Sequence, residues 1–243
     1  MTEGLTARQT QILKALIDDY LELTVPVGSE NLDKKYNLGV SPATIRNEMV
    51  SLTKMGYLKQ PHTSSGRVPT PMAMKFYIDQ LMEERQMSLT EEVKAKEDVW
   101  DSRNDLDLLM EEATKALAER TRNLAVAATD EGKLWHAGYS NVFLSPEFAD
   151  LAVCSNIFSL IEEVDKMQEL FFTRTISGSP IDVLFGEEFG WSGFSPVGIV
   201  TTHFDVKGKH AALGVIGPVA LRYSTVIPTL RYFRNMIMEI AGA

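Results

Sequence analysis

The 243-residue sequence holds a single cysteine, Cys154, which excludes an internal disulfide and a thiolate metal cluster and suits a reducing compartment. That cysteine is expected to be buried as a small apolar side chain. No apolar run approaches the roughly 18 to 20 residues of a membrane span. The opening MTEGLTARQT also lacks the basic and apolar regions of a secretory leader. A cytoplasmic protein without membrane contact is expected. Catalytic signatures are missing too: there is no phosphate loop, no nucleophile elbow and no paired-histidine motif on a helix. His203 and His210 fall near facing ends of one expected hairpin, but two histidines without a third ligand do not make a zinc site. No enzyme, cofactor or metal is therefore expected.

What is present is a chain long enough for two domains, with 44% hydrophobic residues to fill their cores. A net charge of −9 argues at first sight against a nucleic-acid partner, yet its distribution reverses the argument. Residues 1–85 carry ten basic and ten acidic side chains, 86–122 six and ten, and 123–243 eight and thirteen. Within 40–75 the bases Arg46, Lys54, Lys59, Arg67 and Lys75 face one acid, Glu48. One segment is electrostatically suited to phosphate.

That segment follows two helices. Thr6 caps a helix whose apolar residues Ile12, Leu13, Leu16, Ile17, Tyr20 and Leu21 recur at three- and four-residue spacing, ending before Val25-Pro26. Ser29 starts a short helix, SENLDKKY, and Asn37-Leu-Gly39 supplies the turn. Ser41-Pro42 then opens a third helix running to about Met55, with serine as cap and proline at the first helical position. Its apolar stripe, Ile45, Met49 and Leu52, leaves Ala43, Arg46, Asn47, Ser51 and Lys54 on or beside the opposite face. Arginine pairs with guanine and asparagine with adenine in a major groove, so this is the chemistry of a DNA-reading helix. After Gly56, Tyr57–Gln60 reads as a strand entering PHTSSGRVPT, a hairpin wing. Small hydroxyl residues and an arginine at such a tip suit backbone phosphates or the minor groove. The candidate DNA-binding residues are Ser41, Pro42, Ala43, Thr44, Arg46, Asn47, Ser51, Lys54, Lys59, His62, Thr63, Ser64, Ser65, Gly66 and Arg67.

The stretches LTARQTQILKALIDDYLE, PVGSENL, VSPATIRNEMVSLTKMGYLKQPHTSSGRVPT and KFYID resemble the N-terminal domain of the HrcA heat-inducible transcription repressors. GVIGPVALRYSTVIPTLRYF is similar to that family's C-terminal signature. The resemblance implies a homodimeric repressor of chaperone genes that binds double-stranded DNA at a palindromic operator called CIRCE. It further implies an active form maintained by the GroEL chaperonin and a GAF-like C-terminal domain. It carries the DNA-contacting helix and wing onto Ser41 through Lys54 and His62 through Arg67. Family members run about a hundred residues longer, with an inserted dimerisation domain; LAVAATDEGKLWHAGYSNVFLSPEF passes directly over the place where it would sit.

Between the ends, Pro71 begins a helix, and a stretch free of glycine and proline is expected to be helical from Ser88 to about Arg122. Its first half reads as a solvated spacer. In its second half Leu106, Met110, Ala113 and Leu117 form a heptad-like seam for a partner helix or for its own domain. Strands are expected at Leu124–Ala128, Leu134–Gly138, Ile181–Phe185, Val197–Phe204 and Ala211–Ile216, with helices from Glu147 to Phe172 and Tyr223 to Ile240. The loop Gly186–Gly193 reads equally as a pocket lining or a surface turn.

The whole is read as an α+β protein: a winged helix-turn-helix at 1–70, a helical linker with a possible dimer role at 71–122, and a GAF-like regulatory domain with an antiparallel sheet at 123–243. Its rivals are a winged-helix regulator controlled by a small-molecule ligand, an enzyme carrying a winged helix, and a winged helix used for protein contacts.

Overall fold

The computed structural model describes residues 4–63, 65–174 and 180–242 and divides into two units, Met1–Glu83 and Glu84–Ala243. The first unit packs α1 (Ala7–Leu23), α2 (Ser29–Tyr36) and α3 (Pro42–Lys54) around Ile12, Leu13, Leu16, Ile17, Leu32, Ile45, Met49 and Leu52, all buried. Thr6 and Gln9 form a capping box at the start of α1. The cap of α2 is Gly28 and not Ser29, which is the first helical residue. Asn37 (φ 42°) and Gly39 (φ 69°) take left-handed conformations that turn the chain into α3.

The short strands β1 (Leu58–Lys59) and β2 (Val68–Pro69) pair antiparallel as the base of the wing. The helix α4 (Pro71–Gln80) lies within this same unit, so the first fold extends past residue 70. Tyr77 explains the attachment: its side chain is buried and its phenol donates to Asp18 on α1 at 2.7 Å. Burial and that carboxylate push the phenol well above its ordinary range, so it stays a donor.

The expected continuous helix from Ser88 to Arg122 is two helices, α5 (Leu89–Trp100) and α6 (Leu106–Thr121). No glycine or proline marks the break; Asp105 makes it by accepting from the amides of Asp107 at 2.9 Å and Leu108 at 3.2 Å, which starts a new helix. Nor is α5 a solvated spacer. Ala95 and Val99 are buried, Asp98 pairs with Arg120 of α6 at 2.7 Å, and the Glu92 carbonyl accepts from Tyr232 at 2.8 Å. The seam of α6 is likewise taken up inside its own unit, where Met110, Ala113 and Leu117 are buried.

The second unit is built on a five-stranded antiparallel sheet of order β4-β3-β7-β6-β5, with β3 (Leu124–Thr129) and β4 (Leu134–Ala137) preceding α7 (Tyr139–Val142), α8 (Leu151–Glu162) and α9 (Val164–Gln168). The remaining elements are β5 (Asp182–Phe185), β6 (Val197–Val206), β7 (Lys209–Pro218) and α10 (Tyr223–Gly242). Lys207 (φ 47°) and Gly208 (φ 76°) close the β6–β7 hairpin, positive φ at both central residues being what a two-residue turn between twisted strands requires. All six residues of β3 are buried, because helices cover both faces of the sheet. One face meets α6 and α10. The other contributes Leu124, Val126, Ile199, Ala212 and Ile216 to a core shared with Val153, Cys154, Ile157, Leu160 and Ile161 of α8. This is the expected α+β arrangement of helices on an antiparallel sheet.

Cys154 is buried as expected, its thiol donating to the Phe148 carbonyl at 3.2 Å. The single helix expected from Glu147 to Phe172 is instead a 3₁₀ turn at Pro146–Phe148, then α8 and α9, then a π turn at Glu169–Thr173. Asp150 resets the chain by capping α8 through the Ala152 amide at 2.9 Å. Pro228 sits inside α10, where it cannot donate to the Ser224 carbonyl. The Arg85 amide donates to that oxygen at 2.8 Å, and Glu84 holds Arg231 of the same helix through two bonds of 2.7 and 2.9 Å. The start of the second unit thus repairs the defect that proline introduces.

The loop 186–193 is a packed element: Phe189 and Phe194 are buried and close against Trp191 with ring centroids 5.4 and 5.5 Å away. The rings of His203 and His210 stack at 5.9 Å, with Nε2 of His203 against the Phe171 carbonyl and Nδ1 of His210 2.9 Å from Asp205. Among the described residues no group of three or more histidine, cysteine or acidic side chains could hold one metal ion. Among them too, no helix is long and apolar enough to cross a membrane.

Candidate nucleic-acid interface

The interface is built on α3. The Ser41 hydroxyl accepts from the Thr44 amide at 3.2 Å and lies 3.0 Å from the Thr44 hydroxyl, while Pro42 occupies the first helical position, where no amide partner is lost. The helix ends in a Schellman motif. Gly56 (φ 85°) donates to the Thr53 carbonyl at 3.1 Å, and Tyr57 donates to the Leu52 carbonyl at 2.9 Å. Both ends are therefore fixed, and the buried stripe Ile45, Met49 and Leu52 sets the rotation.

With that stripe inward, Ala43, Arg46, Asn47, Val50 and Lys54 are exposed. At 3.6 residues per turn, positions 43, 47, 50 and 54 fall within about 60° of one another, with Arg46 at the edge of the same face. Glu48, the one acid of the segment, is turned away and engaged by Gln9 at 3.2 Å and by Arg8 at 3.8 Å. That leaves the outward face neutral or basic. Ser51 does not share it, since Gln9 of α1 donates to its hydroxyl at 3.3 Å.

The wing is held by side chains that local sequence does not flag. Gln60 donates to the carbonyls of Thr63 and Ser65, at 2.9 Å each, and so cinches the loop. The Ser65 hydroxyl accepts from the His62 amide at 3.0 Å and donates to the His62 carbonyl at 2.7 Å, which makes it a brace. Arg67 exchanges two 2.9 Å backbone bonds with Val27, and its Nε donates to the Thr53 hydroxyl at 2.8 Å. Thr53 donates in turn to the Met49 carbonyl at 2.7 Å, so the wing is tied to the C-terminal half of α3. Gly66 is required there: a Cβ would stand 2.4 Å from the Val27 carbonyl oxygen. His62 and Thr63 are exposed at the tip, and Lys59 is half-buried on β1 opposite Val68. Ser64 lies outside the described residues.

The structure thus brings Ala43, Arg46, Asn47 and Lys54 onto one face and gives Ser41, Pro42 and Thr44 to the start of the helix. Ser51, Ser65, Gly66 and the Nε of Arg67 act within the domain. Sequence reading missed Val50, although its spacing of three from Asn47 and seven from Ala43 was a usable signal. It also missed Gln60 and Thr53, whose partners depend on how the wing closes.

Two family models match: the winged helix-turn-helix transcription repressor, HrcA DNA-binding, over residues 4–83, and the HrcA protein C-terminal domain over residues 72–227. The heat-inducible transcription repressor HrcA of Carboxydothermus hydrogenoformans is 25% identical over 336 residues, covering 97% of this chain and 98% of that protein. Those 336 aligned positions exceed the 243 residues of this chain, so at least 93 have no counterpart here, a deficit of the expected size. The HrcA of Symbiobacterium thermophilum is 44% identical over 119 residues, 49% of this chain and 35% of that protein, and that of Clostridium acetobutylicum 47% over 116 residues, 47% and 34%. A crystal structure titled only as a hypothetical protein shares the fold, with a TM-score of 0.73 at 17% identity over 98% of both chains. With both of its units matched, the chain belongs to the HrcA family of winged helix-turn-helix transcription repressors, a family of repressors and not of enzymes.

Proposed function

We propose that this repressor binds, as a homodimer, a CIRCE-type inverted repeat controlling chaperone genes, with α3 in the major groove and the wing against the flanking backbone. The observation that carries this reading is the outward face of α3, where Arg46, Asn47 and Lys54 stand with Glu48 turned away to Arg8 and Gln9. Arg46 and Asn47 lie in the first half of the helix and read base edges. Lys54, Lys59, His62, Thr63, Ser64 and Arg67 meet phosphate or the minor groove, and Ser41 and Thr44 orient the helix end toward phosphate. A two-fold dimer would set its recognition helices about 34–36 Å apart, one helical turn, or a multiple of it. Bound there, the protein blocks transcription sterically. Family membership supports a chaperonin-maintained active form, which a GroEL-dependent rise in operator affinity would test.

The decisive experiment is fluorescence anisotropy with a CIRCE-type duplex and a scrambled control from about 50 to 200 mM salt. Preference for the repeat, a steep salt slope and two chains per duplex are expected. Equal weak binding to both duplexes would overturn the operator reading, and no salt-sensitive binding would favour a protein-contact role.

A further inference from the structure

Val50 is the one large apolar side chain on the outward face of α3, 36% exposed and outside the buried stripe of Ile45, Met49 and Leu52. A β-branched residue is among the poorer helix formers, so nothing in the stability of an exposed helix position favours it there. Its position is specific. Ala43, Arg46, Asn47 and Val50 are spaced i, i+3, i+4 and i+7, the spacing by which one helix presents a row of side chains to consecutive base pairs in a major groove. Arg46 and Asn47 supply hydrogen-bond donors and acceptors for guanine and adenine edges, but thymine offers the groove a methyl group, which only an apolar side chain reads.

We infer that Val50 is a specificity residue that packs against the 5-methyl group of a thymine in each operator half-site, with Ala43 leaving room beside it for the groove wall. This rests on the operator reading above. Arg46, on one side of Val50, and Asn47, on the other, would fix the register, while Val50 excludes water from the methyl. Burying one methyl group gives about a fourfold preference for thymine over a base without it, per half-site.

The test uses the full chain and symmetric inverted-repeat duplexes in which each thymine is replaced, one position per half-site at a time, by deoxyuridine, which lacks only the methyl. For the wild type, one such position is expected to weaken binding by on the order of tenfold, the product of two half-sites. Val50→Ala, a better helix former at an exposed site, is expected to bind the thymine duplex as weakly as the wild type binds the deoxyuridine one and to ignore the substitution. Val50→Thr, which keeps one methyl and the branch, is expected to fall between them. The inference is overturned if the wild type ignores every deoxyuridine while still preferring the repeat to a scrambled duplex, or if Val50→Ala keeps the full deoxyuridine penalty. Failure of the wild type to prefer the repeat at all would overturn the operator reading and this inference with it.

Discussion

The helices α3 and α6 look alike in sequence, each with apolar residues three and four apart, yet they do opposite work. In α3 the buried residues are Ile45, Met49 and Leu52 alone, a stripe wide enough to hold the helix and narrow enough to leave a full face to solvent. In α6, Leu109, Met110, Ala113, Thr114, Ala116, Leu117 and Ala118 are all buried, which wraps most of the helix in its own unit. The width of the apolar arc, more than its period, separates a helix that offers a surface from one that fills a core. Small residues make the difference, since Ala113, Ala116 and Ala118 let neighbours approach closely without announcing a hydrophobic face.

The largest effect is expected at Leu117, fully buried in α6. Leu117→Ala is expected to destabilise the second unit by about 2–5 kcal/mol through lost transfer and a residual cavity, read by denaturant unfolding. A loss below about 0.5 kcal/mol would place α6 among surface helices. Gly66→Ala comes next. Its Cβ meets the Val27 carbonyl at 2.4 Å, so about 1–3 kcal/mol of strain is expected, with weaker DNA binding as the wing shifts from α3. On α3 the expectation inverts. Asn47→Ala should leave stability within about 0.5 kcal/mol of the wild type but cost about 1–3 kcal/mol on the operator and far less on random DNA. Equal losses on both duplexes would refute base reading. Lys54→Ala should weaken all sequences alike and reduce the magnitude of the salt slope by about one, measured in the same anisotropy series.

The smallest effect is at Glu84. Its carboxyl is held below the usual carboxylate range, first by the hydrogen bonds from Arg231, against a smaller opposing effect of burial. Because the folded value lies below the unfolded one, the pair's stabilisation is complete above about pH 4.3 and is lost as the pH falls through the folded value. The pair is partly exposed, so the change is well under about 1 kcal/mol. Glu84→Gln should therefore flatten the acid limb of the stability curve slightly, and an unaltered limb would show that the pair contributes nothing.

Much of the candidate interface was legible because its signals are local. Ser41-Pro42 starts a helix by its own chemistry, Gly56 ends one, and thirteen residues between them carry enough periodicity to fix which side faces in. The turn at Asn37–Gly39 and the β6–β7 hairpin were equally readable. The break between α5 and α6 was not, because no glycine or proline marks it and Asp105 is one of several acids along the stretch, so only the fold shows which of them caps a new helix. Spacing puts Ser51 on or beside the outward face, and only the placement of Gln9 on α1 shows its hydroxyl engaged within the domain.

Local sequence sufficed for the helices of the first unit, the rotation of α3, the strands of the second unit and the membership of the chain in its family, since each depends on residues within a few positions of one another or on a matching run. It took the fold to show that Arg67 ties the wing to Val27 and to α3, that α5 and α6 belong to a domain and not to a spacer, and that Arg85 rescues the carbonyl opposite Pro228. Those outcomes turn on groups far apart in the chain, where an amide or hydroxyl finds its partner only after the fold has brought it near, and where a buried polar group left alone would cost more than the contact that satisfies it.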